Sequence, residues 1–240
     1  MLKIDLHIHT IASGHAYNTI LEYINKAQEL KMTMIGFSEH GPSMEEAAPK
    51  GYFLCINRLP RKIGNLIILR GIEANIINKK GEIDISDDII KDKLDYVVAG
   101  LHKNVGLHND DKKNNTTMLI NAVKSGKIDI LSHPFVNNWI PFDAKRVYEE
   151  ACRRDVLLEI NAHYLSIPKI RENNIKNLKI MVQTAKDYNK KVILNSDAHT
   201  IWELADDRPI KKVKKEIGLT DKMIINNYPK ELLKQFKIHE

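Results

Sequence analysis

Cysteine is scarce in this chain, with only Cys55 and Cys152 among 240 residues. They have no CxxC spacing and neither lies beside a histidine motif, so packing is expected of both rather than ligation or a disulfide. No run approaches the ~18 consecutive apolar residues needed to cross a bilayer. Met1-Leu2-Lys3 leads straight into a strand-like segment, not into a basic-then-apolar leader. These absences predict a cytoplasmic protein with no membrane contact. Aromatic residues make up only 6% and do not interleave with arginine, so a base-stacking platform is missing. There is no internal repeat, no low-complexity tract and no Gly/Ser linker. With 43% hydrophobic residues, the chain can bury one substantial core. A single domain over residues 1–240 is expected.

Charge is not scarce: the net value is +6 and the pI near 9.1. The excess is mostly lysine spread along helical stretches, as at Lys211, Lys212, Lys214 and Lys215, where a solvated face is the ordinary outcome. Nucleic acid is therefore disfavoured as a partner, while an anionic small substrate fits the balance. The sequence leaves a homo-oligomer open.

Apolar strand-like runs alternate with amphipathic helical ones. Seven strands are predicted near 3–7, 33–38, 66–72, 95–100, 128–131, 156–160 and 191–195. Their continuous apolar character fits parallel strands buried on both faces. Between them, Ile20, Leu21, Ile24, Ala27 and Leu30 mark one helix face. Val147, Ala151 and Cys152 mark another, and Leu178, Met181, Val182, Ala185 and Tyr188 a third. Such alternation predicts an α/β fold, a single-domain (β/α)7 barrel. Residues 41–65 and 74–93 carry prolines and glycines and read as long loops with short elements, which on a barrel mouth shape a pocket.

The chemistry sits just past the ends of those strands. His7 and His9 follow the first, with His15 in the next loop. His40 follows the second, Glu73 the third, His102 the fourth, His133 the fifth, and Asp197 with His199 the last. Taken singly, each has an ordinary structural reading: a surface histidine, a turn, a helix cap. A parallel barrel, however, gathers the C-terminal ends of its strands at one mouth. Nine borderline-to-soft ligands converging there predict a multinuclear metal site and metal-assisted hydrolysis.

The segments Asp5-Leu6-His7-Ile8-His9-Thr10, His15-Ala16-Tyr17, His40-Gly41-Pro42, Leu69-Arg70-Gly71-Ile72-Glu73-Ala74-Asn75, Ser132-His133-Pro134 and Ser196-Asp197-Ala198-His199 resemble the motifs of the PHP (polymerase and histidinol phosphatase) superfamily. Within it, the resemblance is to the YcdX-type metal-dependent phosphatases. It runs nearly end to end and includes Gly81-Glu82-Ile83-Asp84. It implies a distorted barrel with three divalent ions at the C-terminal ends of the strands. Zinc is the expected metal, with manganese or iron as alternatives. By that resemblance His7, His9, Glu73 and Asp197 hold one ion. Glu73, His102 and His133 hold a second, and His15, His40 and His199 a third. The segment Glu159-Ile160-Asn161-Ala162-His163-Tyr164 departs from the pattern, because its histidine lies outside the family's ligand set.

Nine side chains with one bridging carboxylate give ten contacts, fewer than the roughly 12–15 that three ions require. Open positions suit catalysis. Three dications against two carboxylates leave about +4, which favours a phosphate dianion. The expected reaction is hydrolysis of a small phosphomonoester by a metal-activated hydroxide, with Glu73, Asp197 and His163 as catalytic residues and His163 or His108 as candidate general acid. Asn161, Arg58, Arg61 and Arg208 are considered for phosphate contact, although surface or packing roles suit them better, and His239 is assigned no role. The alternatives are a PHP-type phosphodiesterase or nuclease, an amidohydrolase-like enzyme and a non-enzymatic metal-binding scaffold.

Overall fold

The computed structural model describes residues 1–103, 105–106 and 111–238. His108 and His239 lie outside them. The first sheet contains β1 (Ile4–Asp5), β2 (Met34–Phe37), β3 (Lys62–Ile63) and β4 (Leu66–Arg70) in the order β1-β2-β4-β3. The second contains β5 (Glu73–Asn75), β6 (Val98–Gly100), β7 (Ile130–Leu131), β8 (Leu157–Asn161) and β9 (Val192–Asn195) in sequential order. All pairings are parallel except β3 with β4.

The two sheets join into a distorted barrel at two seams. At one, the expected third strand divides: β4 pairs with β2, and after Gly71 and Ile72 the chain continues as β5 against β6. A bridge between His40 and Glu73 spans that seam. At the other, Ile8 bridges Ala198, and the His9 amide donates to the Ala198 carbonyl at 2.9 Å. Both seams fall at the strand ends where the candidate ligands lie. The antiparallel β3 was not anticipated within the 41–65 loop. That region also holds the helix Lys50–Cys55, and 74–93 holds the helix Asp87–Lys93.

One buried cluster draws a residue from every parallel strand position around the ring: Ile4, Met34, Leu69, Val98, Ile130, Leu157 and Ile193. Only the interior of a closed barrel touches all of them. Tyr96 fills the same space and donates to the Leu6 carbonyl at 2.8 Å. Gly36 and Gly71 permit this, because a Cβ at either position would sit 2.4 Å or 2.3 Å from a Tyr96 atom. Leu232, Leu233 and Phe236, from the last helix, Pro229–Gln235, and its C-cap, join the cluster.

The first helix, α1 (Ile20–Glu29), starts at a Thr19–Glu22 capping box. It buries Tyr23, Ile24 and Ala27, whereas Leu21, expected on that face, is 65% exposed. At 100° per residue Leu21 falls well off the centre of the buried stripe. The other two expected stripes are buried except for the partly exposed Tyr188. Cys152 packs as expected, but Cys55 ends its short helix exposed.

At the N-terminal end of β7, away from the strand ends that carry the ligands, burial pushes the Asp129 carboxyl up to about 6. It accepts the Val97 amide at 2.8 Å. A carboxyl raised on folding stabilises the fold below its unfolded value and loses that contribution as pH rises through about 6. Asp129→Asn is therefore expected to raise stability by about 2 kcal/mol near pH 8, or roughly 4–8 °C in melting temperature. Thermal melts at fixed metal concentration should show the advantage shrinking towards about pH 4. A pH-independent gap contradicts this account.

Candidate metal centre

Glu73 opens β5 with 1% exposure, and its two oxygens divide the surrounding histidines. Oε1 lies 3.1 Å from His102 Nε2 and 3.1 Å from His133 Nε2. Oε2 lies 2.8 Å from His40 Nδ1, 3.2 Å from His7 Nε2 and 3.4 Å from His9 Nε2. Asp197 Oδ1 faces His9 Nε2 at 3.2 Å and His7 Nε2 at 3.5 Å. His15 stacks on His199 and places Nε2 3.2 Å from His40 Nε2. All nine side chains singled out from the strand ends thus converge.

Three groups of donors could each hold a cation: His7, His9 and Asp197; Glu73, His102 and His133; and His9, His40 and His199. Within each, the donor atoms lie within 4.8 Å of one another. The third group contains His9 in the place where the resemblance put His15, which sits one ring further out. The residues fit bound cations on a second ground. His7 Nε2, His9 Nε2 and His40 Nδ1 are buried and form no hydrogen bond although each faces a carboxylate oxygen, an arrangement that suits a cation lying between them.

The ring nitrogens are sorted by what lies behind them. His7 Nδ1 donates to Glu159 Oε1 at 2.7 Å, and His102 Nδ1 to Asn75 Oδ1 at 2.7 Å. His199 Nδ1 donates to the Asp197 carbonyl at 3.0 Å. His9 Nδ1 donates to Ser13 Oγ at 3.1 Å, while that hydroxyl donates onward to Glu39 Oε2 at 2.6 Å. Each acceptor takes the Nδ1 proton, so four Nε2 atoms are turned towards the centre, where a bound cation would find their lone pairs. His40 is reversed and presents Nδ1 to Glu73.

Burial alone lowers His7, but Glu159, Glu73 and Asp197 outweigh it and hold the ring well above its ordinary value. Burial would raise Glu73, yet His7, His102 and His40 keep it well below the usual carboxylate range. Asp197 is held well below its usual value against burial by His7 and His9. Burial lowers His9, His15 and His102, with neighbouring histidines adding to it. The centre therefore combines ionised carboxylates with several rings that favour the neutral, ligating form. His133 and Asp197 hold φ of 32° and 58°, a left-handed backbone that non-glycine residues seldom adopt and that clusters at functional sites.

Glu39 and Glu159, both fully buried, were not singled out from the sequence. Glu159 had a signal: it is the charged residue inside the apolar run Val156–Ile160, which no strand tolerates without partners. Asn161, considered for phosphate contact, is also fully buried and donates to Asp197 Oδ2 at 3.1 Å and Glu159 Oε2 at 3.2 Å. It holds carboxylates in place. Arg61 pairs with Asp95, and Arg208 with Asp206. None of Arg58, Arg61 and Arg208 lines the cavity over the centre. His163 does, with its ring 5.9 Å from that of His199. That cavity, about 910 Å³, is also lined by seven of the nine strand-end side chains, including Glu73, His102, His133 and Asp197.

Residues 112–236 match the family model described as RNase P subunit p30. A "probable phosphatase" of Clostridium acetobutylicum is 38% identical over 234 residues, covering 98% of this chain and 94% of that protein. Among solved structures, a Lactococcus lactis histidinol phosphate phosphatase complexed with zinc, L-histidinol and phosphate superposes with a TM-score of 0.65. It is 18% identical and covers 90% of this chain and 94% of its own. A chain of an archaeal ribonuclease P with mature tRNA superposes with a TM-score of 0.57 at 16% identity, covering 97% and 87%. At such identities the structural likeness concerns the barrel.

Proposed function

This chain belongs to the PHP superfamily, and over residues 112–236 to its RNase P subunit p30 family; from that premise we propose that it is a metal-dependent phosphatase acting on small phosphomonoesters. The phosphatase name of the clostridial relative and the zinc and phosphate in the lactococcal neighbour support the reading. The observation that carries it is the complete donor set around Glu73, open to a cavity with room for an organic phosphate. A scaffold has no need of every ligand. The segment matching the p30 family begins after His7, His9, His15, His40, Glu73 and His102, so that match leaves most of the donor set outside it.

The proposed ligands are His7, His9, His15, His40, Glu73, His102, His133, Asp197 and His199, for three divalent ions, zinc first. When bound, such ions supply Lewis acidity to a phosphoryl group and acidify water. Glu73, facing two groups of donors through separate oxygens, bridges them. Asp197 holds its neighbours under the restraint of Asn161. The buried carboxylates Glu39 and Glu159 lower the positive excess expected from two carboxylates, from about +4 to about +2, still attractive to a phosphate dianion.

His163 is proposed to donate the proton that the departing alkoxide requires. It sits on the short helix Ala162–Ser166 beside His199, and it lines the cavity. His163→Ala is expected to lower kcat about 10²-fold or more for an alkyl phosphate. For p-nitrophenyl phosphate, whose leaving group needs no proton, the loss should be several-fold smaller. Equal losses on both substrates would remove His163 from that role.

The overall reading is tested on protein of measured metal content, assayed with p-nitrophenyl phosphate and bis(p-nitrophenyl) phosphate. Monoester turnover that stops on chelation and returns with zinc or manganese is expected. Preference for the diester favours the phosphodiesterase alternative, and amide hydrolysis favours the amidohydrolase one. Metal binding without any turnover leaves a scaffold.

A further inference from the structure

The cavity is far larger than a phosphate group, and its outer wall has a distinct chemistry. Beyond the candidate ligands, Ser43, Glu45, Lys103 and His163 contribute polar groups to it, while Met44, Leu101, Val136, Trp139, Ile140 and Tyr164 make an apolar and aromatic stretch of its wall. The aromatic members form a file leading away from the centre. The Tyr164 ring meets His133 edge-on at 4.9 Å, and Trp139 meets Tyr164 edge-on at 5.8 Å. Trp139 stays 40% exposed although it lines a concave wall, so much of the indole is free for a ligand. Lys103 Nζ lies 4.8 Å from the centre of that indole, which restrains the ring and puts positive charge at the outer end of the file.

Resting on the phosphatase reading, we infer that this wall selects the alcohol part of the substrate: the preferred phosphomonoesters carry an aromatic or heteroaromatic group that packs on Trp139 and Tyr164. Along this stretch, apolar side chains with a free indole desolvate and stack a flat ring, which a polyol cannot match. The Tyr164 ring is positioned for this role by its edge-on contacts with His133 and Trp139. The reaction itself is ordinary hydrolysis: water adds to phosphorus, the P–O ester bond breaks, and the alcohol departs with a proton.

The test compares benzyl phosphate with propyl phosphate, whose alkoxide leaving groups are of similar basicity. The native protein, loaded with zinc, is expected to favour benzyl phosphate about tenfold in kcat/KM, mainly through KM. Trp139→Ala should reduce that preference to about twofold or less. Trp202→Ala is the control, because Trp202 is 77% exposed and does not line this cavity; it should keep the preference. Titration followed by tryptophan fluorescence gives a second readout, independent of turnover. Benzyl phosphate should perturb the native protein and the Trp202→Ala variant, but not Trp139→Ala. Equal use of both esters, or a preference that survives Trp139→Ala, overturns the inference while leaving the phosphatase reading intact. If neither ester turns over, the phosphatase reading fails; the fluorescence titration then still decides whether the wall takes an aromatic ring.

Discussion

Glu73→Gln is expected to lose most of its bound metal and at least about 10³-fold in phosphatase rate. The physical reason is the position of the carboxylate between five imidazoles. Oε1 serves His102 and His133, while Oε2 serves His40, His7 and His9. An amide of the same shape must turn an NH2 towards one of those groups, where a donor meets rings that present lone pairs to a cation. It also removes one of the negative charges that make the centre hospitable to dications. Elemental analysis of protein purified without added metal, together with phosphate release from a monoester, measures both losses. Native metal content with a rate within about threefold of wild type (under ~0.7 kcal/mol) would refute the bridging role.

Glu159→Gln is expected to weaken metal binding about 10–100-fold although its carboxylate is placed behind a ligand rather than among them. Its oxygens accept from four donors: His7 Nδ1 at 2.7 Å, Asn195 Nδ2 at 2.8 Å, the His133 amide at 2.7 Å and Asn161 Nδ2 at 3.2 Å. Glutamine cannot satisfy both sides. With its NH2 towards His133 and Asn161, it faces two donors with a donor. With its NH2 towards His7, the imidazole must accept at Nδ1, which moves its proton to Nε2 and removes the lone pair that points at the centre. Either arrangement breaks a buried, fully paired network, and a stability loss of about 3 kcal/mol is expected. Competition with a chromogenic chelator reads the affinity, and thermal melts of chelated protein read the structural part. Unchanged affinity would show that His7 does not depend on Glu159 for its tautomer.

Much of the candidate site was legible because functional side chains in a parallel barrel gather at the C-terminal strand ends. Six of the seven strands predicted from the sequence lead into a histidine or carboxylate that an apolar core would reject. His7, His9, Glu73 and Asp197 could be read from local pattern, since a buried carboxylate or paired histidine after a hydrophobic run is costly without a partner. The alternation of runs also made the (β/α)7 barrel readable. The short antiparallel β3 was not readable, because two paired residues carry no periodicity. Nor could helix periodicity place Leu21 correctly, since its stripe was drawn wide enough to admit a flanking residue.

What the amino-acid order determined by itself was the set of candidate ligand types and the ring of strands that carries them, because both follow from hydrophobic periods and residue chemistry within a few positions. Which nitrogen each histidine presents, and which carboxylates stand behind them, was decided only by folding. His7 and Glu159 are 152 residues apart and meet across the barrel, while His9 reaches Glu39 only through Ser13. Hydrogen-bond partners at that separation leave no local trace, because closure of the barrel, not the neighbouring sequence, brings them into contact.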